Sequence, residues 1–139
     1  MNYLLDTCVL SEFTRRQPEP RVVDWLDSID EEKLFISVIT VGEVQRGIER
    51  LPDSRRKTEL LVWMNNGLLA RFAGRMIPID AATMFLWGSL VAHRESAGQP
   101  MGVMDSLILA SALQNNLIIA TRNVADFSPS GVQLINPWD

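Results

Sequence analysis

Four acids occupy the places in this chain where chemistry is easiest to build: Asp6, Glu43, Asp105 and Asp126. Asp6 ends a short apolar run, Tyr3-Leu4-Leu5. Glu43 lies a turn or two into the predicted helix that follows a second run, Leu34-Phe35-Ile36. Asp105 opens a predicted helix before a third run, Leu117 to Ala120, and Asp126 lies in the segment after it. Each acid has an ordinary explanation on its own. Asp6 can cap a helix. Thr40-x-x-Glu43 matches a capping box, in which the glutamate folds back onto its own helix start, unless Ser37 is the true cap and Glu43 is free to project. Asp105 can answer the helix dipole, and Asp126 can be a turn residue before Phe127-Ser128-Pro129. Gathered in one place, the acids demand more. Two carboxylates about 5 Å apart repel by roughly 3 kcal/mol at an effective dielectric near 20. A fold that collects several must shift their pKa values or hold a cation. Oxygen donors without a His or Cys cluster point to Mg2+ or Mn2+, ions that activate water and steady an in-line phosphoryl displacement.

Other chemistries are poorly supplied. The sole histidine, His93, sits beside Arg94 on a predicted helix surface, and the sole cysteine, Cys8, has no histidine partner in view. There is no Gly-rich phosphate loop, and neither Lys33 nor Lys57 follows a strand as a phosphoacceptor site would need. One cysteine excludes an internal disulfide framework and fits a reducing compartment. A net charge of −4 argues against a general nucleic-acid coat, while saying nothing of local patches. No stretch approaches a membrane span, and the chain enters an apolar strand without a basic leader. The expectation is a cytoplasmic protein with no membrane contact.

The elements that must position the acids follow from the apolar pattern. Runs apolar at every position suit strands covered on both faces, as in a parallel α/β sheet, and ligands of such sheets sit beyond the carboxyl ends of the strands. Thr7 is expected to cap a first helix running to about Arg16, broken by Gln17-Pro18-Glu19-Pro20. A second helix is expected over 21–28, a third from Val38 or Thr40 to Arg50, and a fourth over 55–70. Met76 to Ile79 reads as a short strand whose proline suits a sheet edge. Asp80 should cap a helix to about Ser96, and another should cover 103–115. Thr121 to Ser130 reads as a polar loop with one helical turn, and Val132 to Ile135 as a last strand. Strands alternating with helices imply right-handed crossovers and a parallel sheet between helical layers. At 139 residues the chain suits one domain, 1–139, with its own core.

Four stretches, in order, resemble the PIN-domain ribonucleases: Leu5-Asp6-Thr7-Cys8-Val9-Leu10-Ser11-Glu12, Ile36-Ser37-Val38-Ile39-Thr40-Val41-Gly42-Glu43, Met104-Asp105-Ser106-Leu107-Ile108-Leu109-Ala110 and Ala120-Thr121-Arg122-Asn123-Val124-Ala125-Asp126-Phe127. Within that family the chain is similar to the VapC-type toxins of bacterial toxin–antitoxin pairs, including the Fit-like group. The likeness spans essentially the whole chain. It implies a PIN-like three-layer α/β/α sandwich around a central parallel sheet of about five strands, and Mg2+- or Mn2+-dependent cleavage of RNA. It also implies a homodimer that joins a larger toxin–antitoxin assembly, and a small DNA-binding antitoxin that blocks the site. Carried over by motif, Asp6, Glu43 and Asp105 match the family's catalytic, metal-holding acids, with Thr7 and Thr121 at polar positions beside them. The chain departs from the pattern twice. Cys8 stands where Asn is common, and Asn123 stands where many members carry a fourth acid, a place Asp126 can take instead.

Arginine makes up nearly all of the basic residues, and it favours bidentate phosphate or carboxylate contacts. Arg46 and Arg50, which share a helix face with Glu43, and Arg122 are the first candidates to meet RNA or an antitoxin. Arg15, Arg16, Arg55 and Arg56 come after them. Trp25, Trp63 and Trp87 read as core or interface, and Ala110 and Ala112 suggest a close helix packing, with a second subunit as a candidate partner. The competing function is a PIN-like module that binds RNA or protein with little turnover. The neutral Asn123 leaves room for it, and the three matched acids oppose it.

Overall fold

The computed structural model describes residues 1–128 and 130–139. Five parallel strands form one sheet in the order β3-β2-β1-β4-β5. They are β1 (Tyr3–Leu5), β2 (Leu34–Ser37), β3 (Met76–Ile77), β4 (Ile118–Ala120) and β5 (Leu134–Ile135). β1 lies at the centre, with Leu4 opposite Phe35 on one side and Ile119 on the other. β3, followed by Pro78, is an edge strand, as its proline predicted.

The three inner strands are mostly buried because helices cover both faces of the sheet, and the edge strands β3 and β5 are half-buried. Side chains alternate along β1, and the two cores divide accordingly. Tyr3 and Leu5 join Val9 and Leu10 of α1 (Thr7–Glu12), Val22 of α2 (Pro20–Ser28), Ile48 of α3 (Val38–Glu49), and Met64, Leu68 and Phe72. Leu4 faces the other way, onto Ile108, Leu109 and Ala112 of α7 (Val103–Gln114) and Phe127 of α8 (Val124–Phe127). The expected α/β/α layering is therefore present. Ala110 and Ala112 are fully buried within the chain itself, so their small size serves internal packing. Trp25 meets Tyr3 edge-on at 5.2 Å, and Trp87 of α6 (Ala81–Ser96) donates its indole N–H to Ser106 Oγ at 2.9 Å, tying α6 to α7.

Several boundaries differ from expectation. Asp6, not Thr7, caps α1: its Oδ1 accepts the Thr7 N–H at 2.8 Å. α1 stops at Glu12 rather than Arg16, and the Thr14 carbonyl just beyond it accepts from Arg56 Nη2 at 2.7 Å. The single helix expected over 55–70 is α4 (Arg55–Val62), a π-helical segment (Trp63–Leu68) and a last turn, α5 (Leu69–Arg71). The wide turn holds Asn65, Asn66 and Gly67, weak helix formers, and a Cβ on Gly67 would sit 3.0 Å from Cδ1 of Trp63. Glycine there lets the indole lie against its own helix. Asp80 caps α6 as expected, through the Thr83 N–H at 2.9 Å. The helical turn expected within 121–130 is α8; Pro129 of that stretch lies outside the described residues. Among the described residues no helix is long and apolar enough to cross a membrane.

Candidate active site at the carboxyl edge of the sheet

The central strand delivers Asp6. Its backbone N–H donates to the Ala120 carbonyl at 3.0 Å, so β1 and β4 stay paired up to the point where both chains leave the sheet. The Asp6 side chain is only 6% exposed. Oδ1 caps α1, and Oδ2 accepts the Thr121 hydroxyl at 2.7 Å. Asp6 is thus both the helix cap of the ordinary reading and a fixed carboxylate at the sheet edge. Thr7 extends the arrangement, its hydroxyl donating to Glu43 Oε1 at 2.9 Å.

Glu43 reaches that hydroxyl because α3 begins earlier than the capping box requires. Ser37 is the cap, its Oγ accepting the Ile39 N–H at 3.0 Å. The Thr40–Glu43 box does not form: the Thr40 hydroxyl is buried without a partner among the described residues, and Glu43 projects toward α1. Asp105 stands in the first turn of α7, whose cap is Gly102 and brings no side chain. Its half-buried carboxylate makes no hydrogen bond among the described residues. Burial first, then the charges of Asp6, Asp126 and Glu43, hold its pKa above the usual 3.8. The four acids therefore share one electrostatic field, although they come from four separate segments. Asp126 is exposed on α8 and lines, with Asp105, a cleft of about 540 Å3 between α8 and the 98–102 loop.

The remaining candidates separate. Thr121 is buried against Asp6, and its hydroxyl also accepts the Asn123 N–H at 3.0 Å. Asn123 itself is exposed. Cys8 contacts Asp6 Oδ2 at 3.8 Å and accepts the Arg122 N–H at 3.4 Å, and burial pushes its thiol above 9.0, so it is protonated at neutral pH. His93 is exposed, as its position suggested. Arg46, Arg50 and Arg122 are exposed, and none has an ion pair among the described residues. Arg15, Arg55 and Arg56 are engaged internally, with Glu12, Glu59 and the Thr14 carbonyl.

Two residues near the site escaped the sequence reading. Glu12 is 3% exposed, a buried acid inside the apolar stripe of α1. Trp138 folds back under the Arg122 guanidinium, 5.4 Å from it. The acid within Val9-Leu10-Ser11-Glu12-Phe13 was a readable signal; nothing in the sequence around Trp138 pointed to it.

Among the described residues no three His, Cys, Asp or Glu side chains converge into a ready-made metal cage. The donor set still suits a hard divalent ion. It is all oxygen, Asp6 is held in place, and the Asp105 carboxylate, without a hydrogen bond among the described residues, is raised by burial and then by its acidic neighbours, a tension that a cation relieves.

The PIN domain family matches residues 3–128. The chain is 36% identical to "Toxin FitB" of Neisseria gonorrhoeae over 135 residues, 97% of each chain. It is 32% identical to "VapC ribonuclease Y4jK" of Sinorhizobium fredii, over 98% of this chain and 97% of that one. Among solved structures, that of FitAB bound to the IR36 DNA fragment superposes with a TM-score of 0.92 at 36% identity, covering 99% of this chain and 96% of the other. The chain belongs to the PIN-domain family, among the VapC- and FitB-type ribonuclease toxins of toxin–antitoxin systems.

Proposed function

We propose that this protein is a Mg2+- or Mn2+-dependent endoribonuclease, acting in the cytoplasm as the toxin of its pair, with residues 1–139 as one catalytic domain. The observation that carries the reading is Asp105, a half-buried carboxylate with no hydrogen bond among the described residues, whose pKa is raised by burial first and then by the charges of Asp6, Asp126 and Glu43. Asp6, Glu43 and Asp105 would hold the ion, which supplies an acidified water and positive charge for the phosphoryl group. The protein's part is positional. Thr121 and the Thr7 amide fix both oxygens of Asp6, and the Thr7 hydroxyl fixes Glu43. Asn123 offers a carbonyl oxygen without charge, so the site would hold one ion, with Asp126 outside its direct ligands. Arg46 and Arg50, exposed and without ion pairs among the described residues, are the donors for RNA phosphates, and the exposed Arg122 is a further contact for the RNA strand.

The partner surface lies beside Glu43. A groove of about 250 Å3 runs between α1, α3 and α4, walled by Leu10, Val44, Ile48, Leu51, Leu60 and Trp63, with Thr7 and Glu43 also lining it. An apolar antitoxin helix followed by an Arg- or Lys-bearing tail fits it, the tail reaching toward Glu43 and Asp105. Phe85, 83% exposed on α6, and Val103 and Met104 on α7 are where a second copy of the toxin would pack.

Incubating the purified chain with a mixed RNA pool tests the activity. Cuts are expected with Mg2+ or Mn2+ and none with EDTA. Cleavage indifferent to EDTA would sink the metal reading, and RNA binding without cleavage under any ion would favour the binding module.

A further inference from the structure

A pocket of about 470 Å3 lies at the far end of α1 from Asp6, and its wall includes Glu12, Arg15, Glu19, Arg122 and Trp138. One segment joins it to the acids. The Thr121 hydroxyl donates to Asp6, and the next residue, Arg122, donates its amide to Cys8. The side chains in the wall are held in place. The Arg122 guanidinium lies 5.4 Å from the centroid of the Trp138 ring. Trp138 is pinned by its own N–H to Asn136 Oδ1 (2.9 Å) and by Arg21 Nη1 on its carbonyl (3.0 Å). Glu12 is buried, its Oε2 has no hydrogen bond among the described residues, and Arg15 Nη1 stands 3.3 Å from it, so a buried charge anchors the arginine. Glu19 gives its N–H to Glu12 Oε1 at 3.4 Å, and its half-buried carboxylate has no partner among the described residues.

We propose that this pocket is a base subsite for single-stranded RNA, taking a guanine that flanks the phosphodiester cut at the acids; the proposal rests on the ribonuclease reading above. Charge decides against a phosphate or an acidic peptide as the occupant. The pocket's two guanidiniums, Arg15 and Arg122, are offset by its two carboxylates, Glu12 and Glu19. What remains is a guanidinium over an indole ring, with directional donors and acceptors around them. Unpaired bases stack on such surfaces and are read along their edges. Carboxylates only accept and guanidiniums only donate. Guanine answers both, with N1–H and the N2 amine for Glu19, and O6 and N7 for a guanidinium. Uracil offers one donor and no amine, so it satisfies Glu19 less well.

Binding of single-stranded pentaribonucleotides to the full chain tests this. The strands are all-uridine or carry one guanine, adenine or cytosine. Fluorescence anisotropy is read on the Asp6→Asn protein in EDTA, so that no cleavage intrudes. The guanine strand should bind about tenfold tighter than the all-uridine strand. Glu19→Gln and Arg122→Ala should each erase that preference. Trp138 packs partly on the core, so Trp138→Ala is paired with Trp138→Phe, which keeps a stacking face and should restore the preference. Equal binding of all strands would overturn the proposal, as would a guanine preference that survives Glu19→Gln and Arg122→Ala. So would Arg122-dependent capture of a polyglutamate peptide with no RNA binding. Wild-type cleavage with Mn2+ separates the two readings. Cleavage without any base preference sinks the subsite alone, and guanine binding without cleavage sinks the ribonuclease alone.

Discussion

Thr7 is where the geometry of the site converges, since its amide holds Asp6 and its hydroxyl holds Glu43. Thr7→Val keeps the shape and the amide but frees Glu43. The expected result is a loss of about 1 kcal/mol or less of stability and a larger fall in RNA cleavage, read by denaturant melts beside a cleavage assay. Asp105 makes a second prediction, with a definite sign. Its folded pKa lies above the unfolded 3.8. Its charge therefore costs stability above the folded pKa; the cost shrinks as pH falls through that value and is gone below 3.8. In chelator, Asp105→Asn should raise the melting temperature at neutral pH and lose that advantage in acid. It should also weaken the stabilisation that Mn2+ brings by mass action. An equal gain at both pH values would contradict the shared-field account. At the fourth acidic position, Asp126→Ala should lower cleavage modestly, while Asn123→Asp should tighten Mn2+ binding in calorimetry. If Asp126→Ala is as inactive as Asp6→Asn, then Asp126 ligates directly and the single-ion reading is wrong.

At the scale of elements, the start of α3 decides where Glu43 points. Ser37→Ala removes the cap and should cost about 1 kcal/mol, measured by urea unfolding. Cleavage should fall further than stability alone explains, because Glu43 hangs from the same helix. A cleavage rate unchanged in a destabilised variant would separate α3 from the site. The strands and the acids at their ends were legible in the sequence for one physical reason. A fully buried parallel strand leaves a contiguous apolar run, and such a run ends sharply where the chain reaches the sheet edge. Asp6 after Leu5, and Ser37 after Ile36, mark those edges. Helix ends were less legible, because individual side-chain contacts outside the apolar pattern set them. α1 closes at Glu12 where Arg56 takes up the Thr14 carbonyl, and α4 widens at Trp63 where the indole needs room beside Gly67. Glu12 and Trp138 lay deeper still. Glu12 stands out as an acid in an apolar stripe, but its partners Arg15 and Glu19 lie beyond that stripe, while Trp138 depends on Arg21, far along the chain.

The whole molecule presents two features of different character, an acidic sheet edge and an apolar groove. They meet at Glu43, so a segment seated in the groove can also cover the acids. Gly47 lies in that groove, and a Cβ there meets nothing within 4 Å. Gly47→Phe should fill the groove without disturbing the core. The expected variant folds and cleaves RNA but no longer co-purifies with the co-expressed antitoxin. Undiminished co-purification would place the partner elsewhere. The central claim, that Asp6 works through its charge at a metal-dependent ribonuclease site, is most directly tested by Asp6→Asn. Asparagine caps helices as well as aspartate does, so the Thr7 amide keeps its acceptor and the fold its start. The account predicts a variant that melts close to the wild type and yields no RNA cleavage above background with Mg2+ or Mn2+. A well-folded Asp6→Asn protein that cuts RNA at the wild-type rate would contradict it.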